Sequence, residues 1–260
     1  MITEWFGFES TMMNTFLSIW ISGTLLFLVL SSLSYWVFFI WKKNRFNPNY
    51  VADRDEIRMA IRWGFLNIVG NAVMTAPFHW LIAAGHTRVY FDMGAYPLWW
   101  TACSVLCMLA VTETLIYWIH RGLHVSPLYQ WFHEPHHRYE RPMSWAGLAF
   151  NPLDSFAQAI PHHICVLLFP VHIGVYLVSV TFVTIWAVSI HDRVSVVTHP
   201  WINYTGHHSI HHRDYDHNFG QFFTFWDRIG GSYRDPRIHG CDDDYHVDWS
   251  RTPTEHNPST

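Results

Sequence analysis

IYWIHRGLHVSPLYQWFHEPHH, residues 116–137, carries two tight histidine groups at the end of an apolar run, and HSIHH at 208–212 repeats the second pattern downstream. Fifteen of the twenty histidines lie between His120 and His217. Eight of them form three spaced clusters: His120 and His124; His133, His136 and His137; His208, His211 and His212. Residues three and four apart share a helix face, so each HxxHH predicts three imidazoles on one stripe and HxxxH adds two from another. Eight neutral nitrogen donors exceed what one tetrahedral or octahedral ion can use, which argues for two metals. A low-complexity histidine tract would not break into three helically spaced groups separated by ordinary sequence.

Outward from the clusters, the composition is that of a membrane protein. Half of the 260 residues are hydrophobic, 18% are aromatic and only 14% are charged. Residues 11–41, 63–85 and 93–112 hold no Asp, Glu, Lys or Arg over 31, 23 and 20 positions. Each is long enough to cross a bilayer core of about 30 Å as a helix. A further uncharged stretch, 155–190, contains Pro161 and Pro170, which predicts two shorter helices joined near Pro170, with a re-entrant hairpin as the competing shape. The clusters before and after it must meet on one side of the membrane to share metals, so the number of crossings between them must be even.

Charge sets the expected orientation. Lys42, Lys43, Arg45, Arg54, Arg58 and Arg62 lie between the first two apolar stretches, whereas the next loop has Arg88 alone. The first loop is therefore expected to be cytoplasmic, and the histidine clusters emerge on that side. Glu4 and Glu9 replace the basic start of a signal peptide, so the N-terminal stretch reads as a retained anchor. Cys103, Cys107, Cys165 and Cys241 are too scattered for a disulfide framework. A net charge of −4 without a basic stripe argues against nucleic acid as a partner. The expected architecture is an all-α integral membrane protein of about four transmembrane helices with a cytoplasmic, helical histidine-box metal domain. Residues 1–92 form its N-terminal transmembrane region, 93–239 its catalytic domain and 240–260 a polar tail.

All-nitrogen ligation suits iron, zinc or copper, and no cysteine near the clusters supports a zinc finger or an iron–sulfur centre. A di-iron oxygen-activating centre at the membrane face, reaching a lipid substrate, is the leading expectation. A metal transporter is the alternative from another class, disfavoured because transporters hold their ligands midway through spanning helices.

The runs IYWIHRGLH, WFHEPHH, AFNPLDSF, SIHD, HSIHH and NFGQFFTFWDRIGGSYRDP resemble the fatty acid hydroxylase/sterol desaturase superfamily, most closely its sterol C5-desaturase (lathosterol oxidase) branch, over residues 110–236. The resemblance implies that the eight cluster histidines are ligands of two iron ions, and all-nitrogen sites of this kind can also take up zinc in purified or crystallised material. It adds His191 of SIHD as a further ligand. Related hydroxylases carry a histidine four residues earlier, where Ala187 stands here. His163, His207 and His217 are the candidates to complete the ligand count, and Asp192 and Asp227 the candidate carboxylates that orient imidazoles.

The same resemblance implies desaturation of a Δ7-sterol with dioxygen and two electrons from a separate donor of cytochrome b5 or ferredoxin type. Lipid hydroxylation, as in sterol C4-methyl oxidases, fatty-acyl hydroxylases or alkylglycerol monooxygenases, is the alternative within the family. The expected location is the endoplasmic reticulum membrane of a eukaryote or the inner membrane of a bacterium.

Overall fold

Thr11 opens the first helix by accepting a hydrogen bond from the Asn14 N–H, and the uncharged run behind it forms α1 (Met12–Tyr35), continued by a π-helical turn at Trp36–Trp41. The computed structural model describes residues 11–239 and the backbone of residues 245 and 246. The polar tail expected over 240–260 lies, apart from that backbone, outside the described residues.

A short helix α2 (Lys43–Phe46) precedes α3 (Arg54–Ala83), whose N-terminus is capped by Asp53 accepting from the Asp55 and Glu56 N–H groups. α3 starts nine residues ahead of the uncharged run at 63 because Asp53, Asp55 and Glu56 suit a helix N-terminus. β1 (Val89–Tyr90) leads to α4 (Leu98–Leu123), which delivers His120 in its last turn and His124 at its C-cap. A π-helical turn at Tyr129–His133, the short helix α5 (Glu134–His137) and a 3-10 turn at Ser144–Leu148 follow.

The long uncharged stretch divides as its prolines require. α6 (Pro152–Leu168) begins with Pro152 at its first turn and Asn151 as cap, tolerates Pro161, and ends before Pro170. β2 (Val171–His172) and α7 (Ile173–Ile190) come next, α7 being capped by the His172 side chain accepting from the Gly174 N–H. After β3 (Val194–Ser195), α8 (Thr205–Asp214) carries the third cluster and α9 (Phe225–Gly230) closes the domain.

Among the described residues four helical stretches are long and apolar enough to cross a membrane: Met12–Trp41, Arg54–Ala83, Leu98–Leu123 and Ile173–Ile190. α4 ends at histidines, and α6 starts beside them, where Asp154 meets His133. α6 then runs to the opposite end, where β2 pairs in parallel with β1 in the register Val89↔Val171 and Tyr90↔His172. α7 returns and presents His191 at its C-cap. α6 and α7 are thus an out-and-back pair, and the clusters before and after them converge at one end of the bundle, as the sharing of metals requires.

Candidate metal centre

Nine histidines from five segments collect into two groups. His120, His124, His133, His137 and His211 form one, and His136, His191, His208 and His212 the other; within each group the ligand atoms lie within 4.8 Å of one another. The eight cluster positions and His191 are therefore brought together, but the clusters do not map one to one onto the groups. In each HxxHH the first and last imidazoles stay together while the middle one crosses over: His136 leaves His133 and His137, and His211 leaves His208 and His212. On an α-helix, positions i and i+4 differ by about 40° around the axis, whereas i+3 points about 60° to the other side. A single stripe was the expectation; the helical period splits it between two adjoining groups.

The hydrogen bonds behind the rings fix which nitrogen faces inward. His120 Nδ1 donates to the Phe219 carbonyl at 2.9 Å, His133 Nδ1 to Asp154 at 2.7 Å, His191 Nδ1 to the Ala187 carbonyl at 2.5 Å and His211 Nδ1 to the His217 carbonyl at 2.8 Å. In the neutral imidazole a proton on Nδ1 leaves Nε2 as a bare lone pair. His120 and His133 accordingly face each other lone pair to lone pair, Nε2 to Nε2 at 3.2 Å, with no proton to share between them.

In the other group the Nε2 atoms of His191 and His208 are 3.0 Å apart, of His208 and His212 3.1 Å, and of His136 and His191 3.4 Å. The buried Nε2 atoms of His124 and His211 have no hydrogen-bond partner. A tetrahedral ion holding nitrogen at about 2.1 Å places neighbouring donors about 3.4 Å apart. The spacing of these lone pairs is that of a cation's coordination sphere, so the residues present fit a metal in each group.

Electrostatics agree with that fit. Burial holds His136, His137, His208, His211 and His212 well below the ordinary imidazole value, and adjacent imidazoles push the same way. Burial lowers His124 as well, and pushes His191 down to about 4 against the opposing hydrogen bond to Ala187. Neutral imidazole is the metal-binding form. Phe150 stacks on His136 at 3.7 Å, and Phe219 packs against His120, His124 and His211, so the groups are walled by apolar rings.

The remaining predicted positions sit elsewhere. His163 lies between helices, with Nδ1 2.8 Å from the Tyr176 hydroxyl and Nε2 3.4 Å from Thr75, outside both groups. His207 is fully buried against Tyr204 and Tyr233, also outside them. His217 contributes its backbone carbonyl to His211. Asp192 caps the turn after α7 by accepting from the Val194 N–H at 3.0 Å. Asp227 is fully buried and accepts from the Phe219 and Gly220 N–H groups at 2.8 and 2.9 Å and from the Ser232 hydroxyl, fixing the loop whose carbonyl holds His120. Burial pushes that carboxyl up to about 6 despite these donors.

Two carboxylates escaped the sequence reading. Asp154 looks like an ordinary acidic residue in a first helical turn, and nothing in its spacing points to His133. Glu113 accepts from the Phe222 and Phe223 N–H groups at 2.9 and 3.1 Å. Its signal was available: a carboxylate inside an apolar helix, two turns before His120 and so on the same face. The loop 219–223 is thus zipped along α4, Phe219 at His120 and Phe222 at Glu113.

Backbone geometry tightens around the same place. Among the described residues, Arg193, Tyr215 and Asn218 are the non-glycine positions with φ near +60°, and all three flank the histidine groups. Tyr215 ends α8 in this conformation, turning the chain so that the His217 carbonyl meets His211.

Residues 105–232 match the family model described as fatty acid hydroxylase. The chain is 40% identical over 226 residues to the Delta(7)-sterol 5(6)-desaturase erg3B of Aspergillus fumigatus, covering 86% of this chain and 66% of that relative. It is 36% identical over 221 residues to the lathosterol oxidase of Homo sapiens, covering 83% and 73%. The Delta(7)-sterol 5(6)-desaturase of Eremothecium gossypii is 37% identical over 227 residues, covering 86% and 64%. The chain thus spans just under two thirds of the length of these fungal relatives. No solved structure matches it.

Proposed function

This chain belongs to the fatty acid hydroxylase family, and on that premise we propose that it is a membrane-bound sterol desaturase that introduces the C5 double bond of a Δ7-sterol. The observation that carries the metal half of this reading is the lone-pair contact of His120 with His133 inside a buried imidazole cluster. The relatives carry the substrate half, since their names specify Δ7-sterols and lathosterol.

His120, His124, His133, His137 and His211 would hold one iron ion, and His136, His191, His208 and His212 the other. When bound, the pair supplies dioxygen activation strong enough to remove hydrogen from an unactivated C–H bond, with two electrons arriving from a separate protein of cytochrome b5 or ferredoxin type. The protein's own part is positional. Asp154 and the carbonyls of Phe219, Ala187 and His217 hold four imidazoles in one tautomer. Burial keeps His124, His136, His137, His191, His208, His211 and His212 neutral, and Phe150 and Phe219 exclude water from the rings they pack against. Residues 93–239 are the proposed catalytic domain and 1–92 its anchor, with the metal face on the cytoplasmic side.

The test is a sterol profile by mass spectrometry from a host lacking sterol C5-desaturase, with and without this chain. A Δ5,7-diene formed from the Δ7-sterol supports the reading, and His136→Ala or His211→Ala should abolish it while membrane insertion persists. Products heavier by one oxygen in place of the diene would assign the chain to the hydroxylating side of the family.

A further inference from the structure

Two segments beyond the histidine groups carry no charged side chain, residues 194–204 and 218–226, and they fold against each other. Ile202 and Phe223 form an antiparallel bridge. The Thr224 N–H donates to the Trp201 carbonyl at 3.1 Å and the Thr224 hydroxyl to the Pro200 carbonyl at 2.9 Å. The Arg228 guanidinium lies 4.4 Å over the Trp201 ring and donates to the same Pro200 carbonyl. The loop and α9 are therefore one structural unit.

The outer face of that unit is apolar. Val196 is 49% exposed, Val197 42%, Trp201 51%, Phe223 41%, Phe225 51% and Ile229 63%. A water-facing surface rarely gathers so many large apolar side chains in one place. The unit is also tied to a spanning helix. Trp226 donates from Nε1 to Thr114 of α4 at 3.1 Å and packs against Tyr117 and Trp118. Trp118 is itself half-exposed on α4, and Thr114 lies nine residues before the end of that helix. At 1.5 Å per residue, Thr114 lies about 14 Å below the helix end that carries the histidines, and from there α9 rises along α4 until the Gly230 carbonyl accepts from Arg121 near that end. The apolar face continues through Trp226 onto the exposed Trp118 of α4, and aromatic rings with a tethered arginine are the side chains that favour the membrane interface.

We propose that the 196–201 loop and α9 form a shelf that lies among the acyl chains of one leaflet, so that the metal domain rests in the membrane surface on a lipid-contacting face. The inner edge of the same unit is the Phe219 ring against His120, His124 and His211. Lipid on the outside and imidazoles on the inside are thus separated by the thickness of one short loop. The assignment concerns lipid contact and stands apart from the reaction catalysed.

The full chain, reconstituted in phosphatidylcholine nanodiscs containing a phospholipid with a photoactivated carbene precursor near the top of one acyl chain, provides the test. Peptides containing Trp201 and Phe225–Ile229 should be labelled as strongly as the peptide containing Trp118. A second probe placed at the terminal methyl should label the shelf less and the middle of α1 more. Absence of label on the shelf while α1 and Trp118 are labelled would overturn the proposal. So would protection of the shelf accompanied by chain-to-chain cross-links through it, which would assign the face to a second copy.

Discussion

Asp154 and His133 are both fully buried, and the Asp154 oxygen accepts from Nδ1 and so holds the imidazole with Nε2 toward the metal group. Gln158 donates to the other carboxylate oxygen at 2.8 Å, so the side chain has little freedom. Asp154→Asn should therefore lower metal affinity by about 10- to 100-fold with the helices intact. Metal titration of the purified variant alongside circular dichroism checks this, and unchanged affinity would remove Asp154 from the centre. The buried imidazoles have a second consequence. The unfolded value of His136, His137, His191, His208, His211 and His212 is about 6.5, and burial sets their folded values lower, about 4 for His191. The unfolded chain therefore binds more protons in mild acid. The contribution of these imidazoles to the stability of the metal-free protein is fully present above about pH 6.5 and is lost as pH falls toward the folded values. Denaturation at pH 7.5 and pH 5 should show the loss, and a flat profile would contradict neutral burial.

At the scale of elements, the centre depends on close approach of backbones. A Cβ on Gly147 would lie 2.8 Å from the Val188 Cα and 3.0 Å from the Ala187 carbonyl oxygen, the same oxygen that accepts from His191. Gly147→Ala should therefore destabilise by about 1–3 kcal/mol, and metal binding by the four-histidine group should weaken before that of the five-histidine group. Thermal melts with metal titration would register both; a variant matching the parent in each would show that the 3-10 turn and α7 part freely. Glu113 acts between elements too, joining α4 to the 219–223 loop through two N–H donors. Glu113→Gln keeps one acceptor and puts an NH2 against the second donor. Its expected effect is loss of metal from the five-histidine group ahead of the other. Equal loss from both groups would mark a general folding defect.

For the whole molecule, the out-and-back path of α6 and α7 puts β1 and β2 at the end opposite the histidines. With the metal face cytoplasmic, Gly94→Cys should react with an impermeant maleimide only from outside and Asp55→Cys only from within, in a background without the four native cysteines. The reverse pattern would invert the orientation drawn from charge. Sequence alone determined that this chain is helical, carries stretches able to cross a membrane and spaces its histidines as metal ligands are spaced, because hydropathy, charge and histidine spacing are local properties that survive without neighbours. It also placed His191 beside the eight cluster histidines, through resemblance. Only tertiary structure decided how nine imidazoles divide into five and four, because the middle histidine of each HxxHH is turned away by the helical period toward a partner from another segment. The same holds for Asp154 and the carbonyls of Phe219, Ala187 and His217, whereas Glu113 stands out in the sequence as a carboxylate inside an apolar helix. A backbone oxygen has no sequence signature, and a carboxylate 21 residues from the ring it holds is recognised only when the chain folds back upon itself.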